Sequence, residues 1–202
     1  MKKVMFYSKH RLMHHFNGTG LGDRKTDFLF PTVYFCSVLI GSALFFASSE
    51  VSLLKKLLFT IYDNNCEQNL ALLLCIIGIV IFVCVTAGLS CAGISILMLT
   101  VFVCGMVSAF FPSYLLLYSG VKGLGYFSLL ILPGLSLFTI SLLMMCNYNA
   151  QMSKALCADV LFDRKENMDL RLFIIKNCIC AAGMLISVLL LYICDKLFRG
   201  LF

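Results

Sequence analysis

The sequence predicts an all-α protein, a transmembrane bundle of about five helices. Of its 202 residues, 61% are hydrophobic and only 13% are charged, and the mean hydropathy is +0.97, far from the balance of soluble domains. The run 68–121 holds 54 residues without Asp, Glu, Lys, Arg or His. Because about 20 helical residues cross a bilayer core of about 30 Å, this run accommodates two spans.

The apolar segments divide the chain into one membrane domain, 28–194, with a basic arm before it, 1–27, and a short tail after it, 195–202. The predicted spans are 28–48, 69–87, 94–117, 126–146 and 172–194. A sixth span, or a re-entrant pair in place of two spans, is the alternative. The first apolar segment starts only near Phe28 and shows no clean small-residue cleavage site, so we interpret it as a retained span rather than a signal peptide.

The first span is opened by Pro31, which is tolerated in a first helical turn because its missing N–H has no partner there. The connection 50–67 is polar and contains a short piece, 51–61, whose leucines and lysines suit the membrane interface.

The uncharged run divides at Gly88-Leu-Ser-Cys-Ala-Gly93, which predicts a tight turn or a break at membrane depth. The glycine-rich segment 119–125 is the next connection. Leu132-Pro133-Gly134 then predicts a bend in the fourth span.

The segment 147–176 before the last span mixes charges of both signs with apolar residues at helical spacing. This pattern predicts an amphipathic helix on the membrane face. With the N-terminus inside, the inner segments carry eleven Lys and Arg, six in the arm and five in 147–176, against five in the outer segments. The positive-inside rule therefore favours a cytoplasmic N-terminus.

The chemistry available inside the predicted spans is sparse. The histidines, His10, His14 and His15, all precede the first span, and no carboxylate lies inside any span. Ser90 stands in G-x-S-x-x-G rather than G-x-S-x-G, so it does not form a nucleophile elbow. We therefore predict no enzyme, no catalytic residue, no metal site and no cofactor.

Eleven cysteines are present, mostly in or beside apolar segments and without a CxxC pair, which favours reduced cysteine acting as a small hydrophobe. The net charge of +6 comes from basic residues at the ends of apolar segments. This placement suits the anionic head groups of a lipid bilayer and not nucleic acid.

Small residues four apart, Gly88 with Ala92 and Gly105 with Ala109, predict close contact between helix backbones. A transporter or permease subunit is an alternative function, because broken helices can build a substrate site at the midplane. Ion-coupled carriers usually keep ionisable groups on their pathway, and none lies inside these spans.

The arrangement of these small residues resembles the stage II sporulation protein M family over roughly 68–145. The residues that carry the resemblance are Gly88 to Gly93, Gly105, Gly120, Gly123, Gly125 and the Leu132-Pro133 break followed by Gly134. Where some relatives have a histidine or an acidic group soon after Leu-Pro, this chain has Gly134-Leu135-Ser136.

The resemblance implies a multi-pass protein of the bacterial plasma membrane that acts in engulfment during sporulation. It implies a scaffold without catalysis of its own, which organises peptidoglycan-degrading partners, the stage II sporulation proteins D and P, at the septal membrane. Homo-oligomerisation is left open.

Overall fold

The computed structural model describes residues 23–47, 66–162 and 170–199, and every secondary-structure element in these ranges is helical. The elements, in chain order, are α1 (Asp23–Ala47), α2 (Cys66–Gly88), α3 (Gly93–Tyr126), a π-helical segment (Phe127–Ile131), α4 (Leu132–Phe162) and α5 (Leu170–Arg199). The all-α prediction is confirmed for the described part of the chain.

Four of the described helices are long and apolar enough to cross a membrane. Their spanning segments are Phe28–Phe46, Leu70–Gly88, Gly93–Phe110 and Leu170–Cys194. They coincide with four of the five predicted spans. The remaining one, 126–146, extends from the end of α3 through the π-helical segment into α4, which is not among these four helices, so a fifth crossing stays a prediction.

The chain reverses direction near Gly120. Helical hydrogen bonding continues from Gly93 to Tyr126, but Gly120 has φ 55° and ψ −138°, outside the helical region, so two helices meet there at a kink. This position lies inside the predicted connection 119–125. The π-helical segment follows and ends directly before Leu132 and Pro133, where the sequence predicts a bend.

Helix α4 differs from the predicted division into a span and a separate amphipathic helix. It continues without a break to Phe162, and within it Met152 and Ser153 are buried. Residues 147–162 therefore extend a bundle helix. Likewise α1 begins inside the predicted arm, at Asp23, and α5 extends into the predicted tail, to Arg199.

Several predictions fall outside the described residues. They concern the basic arm up to residue 22 with its histidines, the interfacial piece 51–61, and residues 163–169 of the predicted amphipathic segment.

The helices alternate in direction. Tyr34 and Ser37 of α1 lie beside Gly105, and Phe45 lies beside Phe110, so α1 and α3 run the same way. Helices α4 and α5 are antiparallel, because Asn149 meets Asn177 whereas Gly134 meets Leu191.

Helix α4 is the centre of this bundle and contacts all four other helices. The buried core contains residues of every helix, among them Phe30, Ile77, Leu97, Leu142 and Met184. The beginning of α1, the turn between α2 and α3, the end of α4 and the beginning of α5 consequently lie at one end of the bundle.

Candidate functional site

The turn between α2 and α3 consists of four residues, Leu89 to Ala92, and it satisfies much of its own backbone. The Ser90 N–H donates to the Ala87 carbonyl at 3.0 Å, and the Gly93 N–H donates to the Ser90 carbonyl at 3.1 Å. The Ala92 N–H donates to Ser90 Oγ at 3.3 Å. Gly88-Leu-Ser-Cys-Ala-Gly93 is therefore a tight turn, one of the two forms predicted for it.

A face of α4 packs directly against this turn. The hydroxyl of Ser153, which is fully buried, donates to the Ser90 carbonyl at 2.6 Å. A Cβ atom at Gly93 would overlap the Ala87 carbonyl and lie 2.8 Å from Ser153 Oγ, and a Cβ at Gly88 would overlap the Asn149 side chain. Glycine is required at Gly88 because Asn149 of α4 approaches it closely, and at Gly93 chiefly because the Ala87 carbonyl at the end of α2 lies so near.

Asn149 links α4 to α5. Its Nδ2 donates to the Met145 carbonyl and to Oδ1 of Asn177, both at 2.9 Å, and Asn177 Nδ2 donates to the Phe173 carbonyl at 3.0 Å. These bonds determine the orientation of the Asn149 amide, since the reversed amide would set its oxygen against two acceptors. Asn149 Oδ1 then faces Gly88, fully buried and without a hydrogen-bond donor.

The second predicted small pair lies at a different interface, between α1 and α3. A Cβ at Gly105 would overlap Ser37 Oγ and lie 3.0 Å from the Tyr34 carbonyl. Ala109 is buried, and its Cβ is 3.1 Å from the position that a Cβ of Gly41 would take. Close contact through small residues thus holds α1 against α3.

The other predicted site residues are divided between packed and open positions. Gly134 packs against α5, where a Cβ would lie 2.6 Å from Leu191 Cγ. No atom lies within 4 Å of a Cβ placed at Gly120 or Gly125. Pro133 and Ala92 are exposed. The predicted small residues therefore do not form one surface. Their glycines lie at the α2–α4, α1–α3 and α4–α5 contacts and at the chain reversal near Gly120.

The polar residues around the turn were missed by sequence reasoning. Asn149 and Ser153 lie in the segment 147–176, which the sequence predicts to be an amphipathic helix on the membrane face, and Asn177 lies in the predicted span 172–194. The available signal was their spacing: Asn149 and Ser153 are four apart, in line with the buried Met145 and Cys146. Gly183, which packs against Ser141 of α4, was missed as well.

Ten of the eleven cysteines have side chains that the structure describes, and these ten are all free. Cys84 of α2 and Cys146 of α4 are fully buried, with their sulfur atoms 3.9 Å apart. Within the described ranges, no group of three or more His, Cys, Asp or Glu side chains is placed to hold a metal ion. The buried polar side chains in these ranges are serines and asparagines, with Tyr34 at the α1–α4 contact.

This geometry provides hydrogen bonds that join helices, but no carboxylate, imidazole or ammonium group in the described core to transfer a proton. The fold and the site together define an all-α protein whose apolar helices fit a multi-pass membrane protein. No family model matches the chain, and comparisons with curated proteins and with solved structures likewise give no match.

Proposed function

We propose that this chain is a non-enzymatic membrane scaffold that holds other membrane or envelope proteins. The proposal rests on the chemistry of the buried polar side chains in the described part of the chain. Its buried polar groups are hydroxyls and amides, and those of Asn149, Asn177, Ser153 and Tyr34 are engaged in holding one helix to another or to the turn. A rigid bundle of this kind suits the positioning of partners more than the turnover of a substrate.

The resemblance to the stage II sporulation protein M family supports a particular form of this proposal. In that form the chain lies in the plasma membrane of an endospore-forming bacterium and organises the stage II sporulation proteins D and P during engulfment. The glycines that carry the resemblance include Gly88, Gly93, Gly105 and Gly134, and a neighbouring helix or turn leaves no room for a side chain at any of them. They would give the scaffold a defined shape.

Co-purification from membranes of a sporulating host tests the scaffold. We expect proteins D and P to be enriched with the tagged wild-type chain and lost with Gly105→Leu, because leucine would separate α1 from α3. Gly78→Leu is the matched control, since no atom lies within 4 Å of a Cβ placed there. Retained partners and normal engulfment with Gly105→Leu would contradict the proposal, as would a wild-type chain that enriches neither protein.

For orientation we propose a cytoplasmic N-terminus, supported by the excess of Lys and Arg in the segments predicted to lie inside. Cys66 and Cys91 test it, because Cys66 begins α2 and Cys91 lies in the turn that follows it. A membrane-impermeant maleimide applied to intact cells, followed by peptide mapping, should modify Cys66 and leave Cys91 unmodified. The reverse pattern would place the N-terminus outside.

A membrane subunit of a permease is the second candidate, favoured by one observation. Asn149 Oδ1 is buried without a donor beside the turn, and transporters place polar groups and helix ends around their substrates. Purified chain in proteoliposomes tests this function. Substrate-dependent flux of any solute in a broad panel would favour a permease, and its absence would favour the scaffold.

A further inference from the structure

One buried acceptor near the turn has no donor in the structure. Asn149 is fully buried, and its Oδ1 faces the last residue of α2, Gly88. An unsatisfied buried carbonyl oxygen carries a penalty of about 1–3 kcal/mol and calls for an explanation such as an ion or a water molecule. The two bonds made by Nδ2 hold the oxygen in this direction.

Other oxygen atoms surround the same end of the bundle. Ser153, one helical turn after Asn149, is fully buried, and its Oγ and the Ala87 carbonyl oxygen both lie close to Gly93. The Ser90 carbonyl accepts the Ser153 hydroxyl. The turn joins the C-terminus of α2 to the N-terminus of α3, so the partial charges of the two helix ends oppose each other and the oxygen atoms are the cation-attracting groups.

We propose that this end of the bundle binds a monovalent cation, held by Asn149 Oδ1, Ser153 Oγ and main-chain carbonyl oxygens of residues 87–90, at the end of α2 and the start of the turn. Oxygen ligands suit hard cations, and helix C-termini with unwound carbonyls are the setting in which membrane proteins coordinate Na⁺. The ligands are neutral, and no carboxylate is buried in the described core. One positive charge therefore suits the site better than two.

This cation site does not depend on the scaffold function proposed above, and a permease would accommodate it equally well. Access is provided by the turn itself, since Leu89, Cys91 and Ala92 are exposed at the end of the bundle. Binding would join α2, α3 and α4 at the turn, where the side chains of Asn149 and Ser153 lie against Gly88 and Gly93.

Thermal unfolding of the purified full chain in detergent tests the site, with Na⁺ as the probe. At constant ionic strength, replacing choline chloride by NaCl should raise Tm by about 2–4 °C, an effect that saturates with concentration. Ser153→Ala should lose the shift. Ser141→Ala, the same substitution at another buried position of α4, should keep it.

Binding of radioactive ²²Na⁺ to the same samples measures the site directly, because a change in stability alone would not alter the amount of Na⁺ bound. Binding should be seen with wild type and Ser141→Ala and be lost with Ser153→Ala and Asn149→Leu. If Asn149→Leu fails to fold, Ser153→Ala decides. A wild-type chain that neither binds Na⁺ nor shifts its Tm relative to choline would overturn the proposal, and so would binding that survives both substitutions.

Discussion

Helices α2 and α4 illustrate two ways for a helix to belong to the bundle. Helix α2 is the most apolar of the four spanning helices, yet only 17% of its spanning segment is buried, and it exposes Leu72, Ile79 and Phe82. Helix α4 is not among those four, yet it contacts every other helix and buries Asn149 and Ser153. Apolarity therefore reports how much of a helix faces outward, whereas a central helix tolerates polar side chains because its neighbours provide partners.

The two glycines of α2 give the sharpest test of this comparison. Gly88 faces α4, and a Cβ there would overlap the Asn149 side chain, whereas Gly78 has open space beside it. We expect Gly88→Leu to lower the free energy of unfolding by about 3 kcal/mol, since overpacking must displace α4. Gly78→Leu should change it by less than about 0.5 kcal/mol.

Circular dichroism during a titration from mild detergent into denaturing detergent measures both variants of α2. Equal stability of Gly88→Leu and Gly78→Leu would show that α2 is not held by α4, and the contrast between an outer and a central helix would fail.

The reason that the sequence predicts α2 better than α4 is physical. An outer helix shows its environment in its composition, so the span 69–87 agrees closely with Leu70–Gly88. The polar side chains of α4 look the same in sequence whether they face water or another helix. The four-residue spacing of Asn149 and Ser153 shows that they share a helix face, but their burial depends on contacts such as that between Asn149 and Asn177, 28 positions apart, which no local pattern contains.

For the candidate site too, the sequence predicts one part and not the other. The glycines of the turn were predictable, because a glycine pair within an uncharged run predicts a tight connection, and the structure has a four-residue turn there. Which helix requires those glycines was not predictable. Gly88 is constrained by Asn149, about 60 residues further along the chain, whereas Gly93 is constrained first by the nearby Ala87 carbonyl and then by Ser153 of α4.

The reversal that brings the chain from α3 into α4 offers a prediction of intermediate size. Gly120 adopts φ 55° and ψ −138°, a conformation nearly restricted to glycine, so Gly120→Ala should destabilise the bundle by about 1–3 kcal/mol. Gly125 is helical with open space around it, so Gly125→Ala should stabilise by about 0.5–1 kcal/mol. The same detergent titration should give shifts of opposite sign, and a loss of stability in both variants would contradict the assigned reversal.

The smallest effect is expected at the contact that most distinguishes α4 from α2, the hydrogen bond from Asn149 to Asn177. A double-mutant cycle with Asn149→Leu, Asn177→Leu and the double variant isolates their coupling. We expect about 0.6 kcal/mol and no more than about 1.7 kcal/mol, the range found for hydrogen bonds between membrane helices, because Asn149 Nδ2 keeps the Met145 carbonyl when Asn177 is lost. A coupling near zero would mean that small residues such as Gly134 and Gly183 alone join α4 to α5. The polar contacts of α4 would then be a consequence of its central position and would not help to hold it there.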